Sequence, residues 1–227
     1  MYIHPRMKIV FLIFFALVNL NIKAQIPVSQ EPYHRVVYEN DRVRILNVLL
    51  PPGDTTQYHV HSTPSVFIGL STSHTGSQLL HQKPAAGLFT ASSVFFEDLR
   101  APHTRIHRVW NSDSFLFHVM DVELLSANPV LDQPGFKLKY TRLETDTTWV
   151  RIYKTDLPKV GELTIHDMNR RFLLVVLGDT KTTVSVNDKE IARFLSTGDF
   201  FWINPGDKFS IMNRGASTAP FTLLEVD

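Results

Sequence analysis

Residues 53–61 of the chain read GDTTQYHVH, and this stretch decides how the rest of the sequence is interpreted. Side chains two residues apart point to the same face of a β-strand, whereas they diverge on a helix. On a strand, His59 and His61 therefore project side by side. To hold a metal ion they need only a third ligand from a neighbouring strand.

Residues 102–111 read PHTRIHRVWN and contain two histidines, His103 and His107, in the segment that could offer that third ligand. The sequence therefore predicts a metal site formed by His59, His61 and a histidine of this segment. The alternative is three unrelated histidines, two of them on a polar strand face.

Other polar residues near these histidines are candidates to line a pocket. By period-2 counting, Gln57 and Arg105 share strand faces with the histidines, and Arg105 would suit an anionic substrate. The alternative for both is a solvated rim. His118 lies in an apolar strand and is expected to be a hydrogen-bonded core histidine. His34 has no partner by spacing and receives no role.

The composition is that of an ordinary globular protein. The chain has 227 residues, 44% of them hydrophobic and 20% charged, which is enough for one large domain or two small ones. Its formal net charge of +1 argues against a nucleic-acid partner. Since there is no cysteine, disulfides, cysteine metal ligands and a cysteine nucleophile are excluded.

Residues 1–24 have the pattern of a secretory signal peptide. Lys8 precedes an apolar run over residues 9–18, and the small residue Ala24 precedes Gln25. The run is shorter than the roughly 20 residues that a membrane-spanning helix needs, so cleavage is favoured over the alternative of an uncleaved anchor. We therefore expect a periplasmic or secreted protein with no membrane contact beyond export.

The mature chain shows many short strand-like runs and no convincing helical periodicity, which predicts an all-β sandwich or barrel. The predicted strands of the first half are 35–39, 42–50, 65–70, 93–96, 105–110 and 115–123. Residues 126–136 have the composition of a linker, and beyond them the pattern restarts. Residues 150–152 repeat residues 43–45 at a distance of 107 residues. These matches suggest an internal duplication, with chance agreement as the alternative.

The spacing of Gly53, His59 and His61, followed by Pro102, His107 and Asn111, resembles the two motifs of the cupin superfamily. The resemblance implies a jelly-roll barrel in each half, with residues 25–125 as the first cupin and residues 137–227 as the second. It also implies that His59, His61 and His107 are the metal ligands.

The sequence departs from the family pattern in both halves. Where the family has a glutamate ligand this chain has Ser65, which leaves three neutral imidazoles and makes Ser65 a pocket candidate. In the second half His166 keeps the first histidine position, but Met168 and Ser210 replace the other two. The second cupin is therefore expected to be a packing partner without metal.

The predicted cofactor is one divalent metal ion, with iron, manganese, nickel and zinc as the candidates. The resemblance implies a metal-dependent dioxygenase, or an isomerase or lyase, acting on a small oxygen-rich molecule. The alternative is a non-catalytic module that binds a small ligand, with a structural or vestigial metal. No general base is identified from the sequence, and a homodimer is possible.

Overall fold

The computed structural model describes residues 25–126, 131, 134–166 and 169–226. The predicted signal peptide and Met168 lie outside these residues. The described chain is built of β-strands, with a single 3-10 turn at Val28–Gln30. None of the described helices is long and apolar enough to cross a membrane.

The first half forms ten strands. They are β1 (Ile26–Pro27), β2 (His34–Glu39), β3 (Val43–Leu50), β4 (His59–His61), β5 (Ser65–Gly69), β6 (Ser73–Leu79), β7 (Ala85–Phe89), β8 (Val94–Glu97), β9 (Arg105–Asn111) and β10 (Phe117–Leu124). The six predicted strands correspond to β2, β3, β5, β8, β9 and β10 within two residues. The prediction missed β6 and β7, whose small and polar residues carry little strand signal.

The second half forms nine strands in its described residues. They are β11 (Thr141–Asp146), β12 (Val150–Leu157), β13 (Glu162–Ile165), β14 (Arg171–Val176), β15 (Thr180–Val186), β16 (Lys189–Leu195), β17 (Phe200–Ile203), β18 (Phe209–Asn213) and β19 (Ala219–Val226).

Each half contributes two sheets, and no described sheet takes strands from both halves. The first half forms the sheets β1-β4-β9-β6-β7 and β2-β3-β10-β5-β8, and the second forms β11-β12-β19-β14-β17 and β13-β18-β15-β16. This arrangement confirms the predicted all-β fold of two tandem jelly-roll barrels. The domain limits at residues 25–125, 126–136 and 137–227 stay a prediction at the level of single residues.

The two halves share a hydrophobic core between the sheets β2-β3-β10-β5-β8 and β11-β12-β19-β14-β17. On β10, Met120, Val122 and Leu124 belong to this shared core, while Phe117 and Val119 face the interior of the first barrel. Because β10 is buried on both faces, apolar residues occur on both of its faces, although His118, Asp121 and Glu123 interrupt them. The second half contributes a matching apolar set, which is Val150, Ile152, Leu173, Val175, Leu224 and Val226.

Two polar arrangements occur in both halves and support the duplication. Arg44 lies 2.7 Å from Glu39 and 2.9 Å from Glu123. In the second half Arg151 lies 2.7 Å from Asp146 and 3.2 Å from Glu225, at corresponding strand positions.

The second repeated arrangement is a buried asparagine. The Asn111 amide donates to the carbonyl oxygens of Leu50 and Phe115, and the Asn213 amide donates to those of Leu157 and Ser217. The corresponding asparagines align β9 of the first half with β18 of the second.

We expect N111A and N213A to destabilise the fold by similar amounts of about 1–3 kcal/mol each, because each change leaves two carbonyl groups without their donor. Urea unfolding would measure this. The matched control is N204A, which removes an exposed turn amide and should cost less than about 0.5 kcal/mol. A cost for N111A or N213A no larger than the control would contradict the proposed structural role.

Candidate functional site

Strand pairing brings the three predicted histidines together. In the antiparallel pair β4–β9, His59 lies directly opposite His107, and His61 lies two residues further along β4. His59 and His61 are fully buried, and His107 is half-buried. Since side chains alternate along a strand, all three rings point to one side of the sheet, into the first barrel.

The Nε2 atom of His61 lies close to the Nε2 atoms of both His59 and His107. The His59 and His61 Nε2 atoms are 3.1 Å apart, and so are those of His61 and His107. The ring centroids of His59 and His107 are 4.7 Å apart. Two nitrogens bound to one metal at about 2.1 Å lie about 3.0–3.4 Å apart for octahedral to tetrahedral angles. The observed spacing therefore fits a shared metal ion.

The opposite nitrogens of the His59 and His107 rings have polar partners that orient the rings. The His59 Nδ1 atom donates to the carbonyl oxygen of Gln57 at 2.9 Å, so in the neutral ring Nε2 is an unprotonated acceptor. The His107 Nδ1 atom lies 3.1 Å from the Ser77 hydroxyl. Metal-bound histidines are typically oriented by such contacts from the ring nitrogen that does not bind the metal.

A buried carboxylate supports the His61 ring. The His61 Nδ1 atom lies 3.4 Å from the Asp121 carboxylate, and both groups are buried. Sequence reasoning missed Asp121, because it comes from β10, in the other sheet of the barrel. Burial raises the pKa of Asp121 to about 7, against the lowering effects of His34 and Ser65.

Burial keeps the three histidines neutral. It lowers the pKa of His59 to about 3, that of His61 to about 3 and that of His107 to about 2, and the neighbouring histidines add to the effect. Metal binding requires neutral imidazole, so these rings need no proton release at neutral pH.

A fourth histidine, His34, lies beside the cluster. Ligand atoms of His34, His59 and His61 lie within 4.8 Å of one another, so these three also form a group that could hold a metal. The His34 Nδ1 atom lies 2.7 Å from the Glu31 carboxylate, and both residues are buried. Sequence analysis assigned no role to His34, because it has no partner by spacing and the resemblance does not include it.

A cavity of about 500 Å³ opens beside the histidines in the first barrel. His34, His61, His107 and Asp121 line one part of it. Most of the remaining wall is apolar and includes Val48, Leu50, Phe67, Leu79, Phe89, Phe95, Val109, Phe117 and Val119. The site therefore combines a metal-ligating polar end with an apolar chamber large enough for a small molecule.

Of the predicted pocket residues, Arg105 lines the cavity. Its guanidinium is paired with Glu97 through contacts of 2.6 Å and 2.8 Å, so its charge is already balanced. Ser65 is fully buried on β5, donates to the Thr63 carbonyl at 3.2 Å and is not part of the described cavity wall.

Gln57 lies outside the histidine cavity, and the reason is a bulge. Thr56 hydrogen-bonds to the backbone of Val109, while His59 pairs with His107. The segment from Thr56 to His59 therefore contains one residue more than the segment of β9 that it faces. The extra residue breaks the period-2 counting that placed Gln57 with the histidines. Its side chain is exposed and lines a separate cavity that includes Tyr58.

The second barrel has apolar residues where the first has the cluster. Phe209, four residues before Asn213, corresponds to His107, and its partner Ile165 corresponds to His59. Both are fully buried in the apolar interior.

This correspondence corrects two sequence alignments. His166 and Ser210 do not take the positions of His59 and His107. The strand β13 lacks the bulge, and the chain between Ile165 and Phe209 is shorter than the chain between His59 and His107. His166, the one histidine of the second half, is exposed. Met168, the expected second replacement, lies outside the described residues.

Comparisons with known proteins identify the fold. No family model matches the chain, and no curated protein matches it. Among solved structures, it is similar to AerE from Microcystis aeruginosa, with 11% identity, a TM-score of 0.57, and coverage of 87% of this chain and 98% of that one.

Two further structures define the class. A cupin 2 conserved barrel domain protein from Leptotrichia buccalis has 11% identity and a TM-score of 0.55, covering 85% of this chain and 88% of its own. Salicylate 1,2-dioxygenase from Pseudoaminobacter salicylatoxidans, in its gentisate adduct, has 9% identity and a TM-score of 0.59, covering 83% and 69%. The fold is therefore that of the cupin proteins, and it contains a three-histidine group suited to a metal.

The neutral histidines predict how the stability of the metal-free protein depends on pH. Their folded pKa values lie below the unfolded value of about 6.5, so they stabilise the fold above that pH and lose this contribution as the pH falls toward 3. Each contributes a slope of up to about 1.4 kcal/mol per pH unit in this window.

Thermal melts of the metal-free protein at pH 7.5 and pH 5.0 would measure the effect. H107F places at position 107 the residue type that the second barrel has there, and it should reduce the difference between the two melts. H74A removes an exposed histidine and should leave the difference unchanged. An equal pH dependence in wild type and H107F would contradict the argument.

Proposed function

We propose that this protein is a metal-dependent bicupin whose first barrel binds one divalent ion through His59, His61 and His107. The observation that carries the proposal is that the His61 Nε2 atom lies 3.1 Å from the Nε2 atoms of both His59 and His107, while the other nitrogen of each ring faces a polar group. The His59 Nδ1 atom donates to the Gln57 carbonyl, so the Nε2 atom of the neutral His59 ring is an acceptor that faces His61. A divalent ion would use the Nε2 atoms of all three rings.

The reaction we propose is an oxidation by dioxygen of a small molecule that binds beside the metal. A redox-active ion such as iron, manganese or nickel would supply Lewis acidity and electron transfer at the site. The similarity of the fold to salicylate 1,2-dioxygenase is consistent with this class of reaction. Three neutral ligands leave the charge of the ion uncompensated, which favours a substrate with anionic or strongly polar oxygens.

The cavity supports a substrate with two unlike ends. Oxygen donors would face the histidines, while an apolar body would contact the phenylalanine wall. The Phe67 ring lies 5.7 Å from the His61 ring and 5.5 Å from the Phe95 ring, so the apolar surface begins directly beside the metal ligands. Small diketones and polyphenols have this combination of groups.

We expect the purified full chain to bind about one divalent ion, and H107A to weaken that binding more than about 100-fold, because it removes a ligand rather than a supporting group. Metal analysis after dialysis and calorimetric titration with Zn²⁺ would measure both. H74A is the matched control, since His74 is exposed and outside the cluster. A wild-type protein that takes up no divalent metal would overturn the proposal.

The reaction itself requires a separate assay. Metal-free protein loaded in turn with Fe²⁺, Mn²⁺, Ni²⁺ and Zn²⁺ would be tested for oxygen uptake on a panel of diketones and polyphenols. We expect uptake with a redox-active ion and none with Zn²⁺. Metal and ligand binding without turnover of any compound would instead favour the non-catalytic binding module.

We expect V109F to block ligand binding without changing metal affinity, because Val109 lines the cavity and the larger ring fills it. The matched control is I106F, on the opposite face of the same strand. Binding of catechol to the metal-loaded proteins, followed by absorbance, should weaken at least about tenfold for V109F only. Equal catechol binding by both variants would contradict the assigned chamber.

We also propose that the protein is exported and begins at Gln25 after removal of residues 1–24. The basic start, the short apolar run and the small residue Ala24 support this proposal. N-terminal sequencing of the protein from the periplasm or medium of an expressing bacterium would test it. Recovery of only the uncut chain in the membrane fraction would favour an anchor.

A further inference from the structure

We infer that His34 is a fourth metal ligand, oriented by the buried carboxylate of Glu31. This inference rests on the proposed metal site and extends it to a strand that neither the cupin motifs nor the histidine spacing indicates. His34 begins β2, in the sheet opposite β4 and β9, so it would bind the ion from the other side of the barrel.

The position of the His34 ring supports a ligand. Its centroid lies 4.5 Å from that of His59 and 6.2 Å from that of His61. The ring lines the same cavity as His61 and His107. One of its nitrogens lies 2.7 Å from Glu31, which leaves the other to bind the ion.

Glu31 is built to hold this ring in place. It is 2% exposed, and its carboxylate accepts hydrogen bonds from the backbone N–H groups of Tyr33 at 2.8 Å and Gln57 at 3.1 Å. Burial alone would raise the pKa of Glu31, but these bonds and the His34 ring hold it below its ordinary value. A carboxylate behind a ligating histidine fixes the ring and increases its basicity.

The Gln57 backbone connects the two parts of the site. Its N–H donates to Glu31 and its carbonyl accepts from His59. The bulge that moves the Gln57 side chain to the surface thus places its peptide groups between the two histidine supports.

The second barrel provides a comparison within the same chain. Thr141 corresponds to His34, since each pairs with the residue two positions before the end of the neighbouring strand. Leu138 corresponds to Glu31, because the Thr141 N–H donates to its carbonyl as the His34 N–H donates to that of Glu31. Where Ile165 and Phe209 replace the cluster histidines, the Glu31–His34 pair is replaced too. Glu31, His34, His59 and His107 are thus all replaced in the second barrel, as expected if they act together at one site.

The test uses the full chain loaded with Cu²⁺ and Co²⁺ alone. The nitrogen hyperfine pattern in Cu²⁺ EPR should show four imidazole nitrogens in wild type and H74A, and three in H34A. The Co²⁺ absorption bands should change in H34A as well. Zn²⁺ affinity should fall at least about tenfold in H34A and by a smaller factor in E31Q, which keeps the ring but removes the charge.

The outcomes separate this inference from the proposed function. Three nitrogens in the wild-type spectrum, or an H34A variant with the wild-type spectrum and affinity, would overturn the role of His34 and leave the three-histidine site standing. A wild-type chain that binds none of these ions would overturn both. Since the nitrogen count in wild type is itself decisive, the test does not depend on H34A folding.

Discussion

The site depends on one constraint, which is that three imidazole rings are held together in the interior of the first barrel. The His61 Nε2 atom lies 3.1 Å from those of His59 and His107, so each close pair of nitrogens must share a proton or bind a common cation. The surrounding groups orient the three rings. A carbonyl, a hydroxyl and a carboxylate lie behind the rings, and the bulge after Thr56 sets the face to which His59 points. Lowered histidine pKa values are the electrostatic consequence of the same burial.

The two barrels share the features that stabilise the fold and differ in the residues of the histidine cluster. Both have an ion pair between two neighbouring interior strands, β3 and β10 or β12 and β19, and both have the buried asparagine, so these features stabilise the jelly roll itself. The first barrel has the histidines, the bulge and a cavity among the apolar side chains. In the second, Phe209 and Ile165 fill the space, and Phe136 packs on Tyr153 with ring centroids 4.5 Å apart. At the positions that correspond to the histidine cluster, the second barrel therefore has packed apolar side chains.

Sequence reasoning predicted the parts of the site that depend on local spacing. The period of a strand places His59 and His61 together, and the second motif supplies His107. The all-β fold followed from short runs separated by turn residues. His34 and Asp121 could not be found in this way, because their strands reach the site through pairings between distant segments. Gln57 was misplaced for a local reason, since one extra residue reverses which face a side chain occupies.

The shared core between the halves implies that the first barrel would not be stable as a monomer on its own. A solitary first barrel would expose Val43, Ile45, Val66, Ile68 and Val122 to water as one continuous apolar sheet face. It would have to self-associate through that face, as obligate homodimers do. Joining two barrels in one chain makes this association intramolecular and independent of protein concentration. The second barrel contributes its half of this shared core and also has an apolar interior of its own.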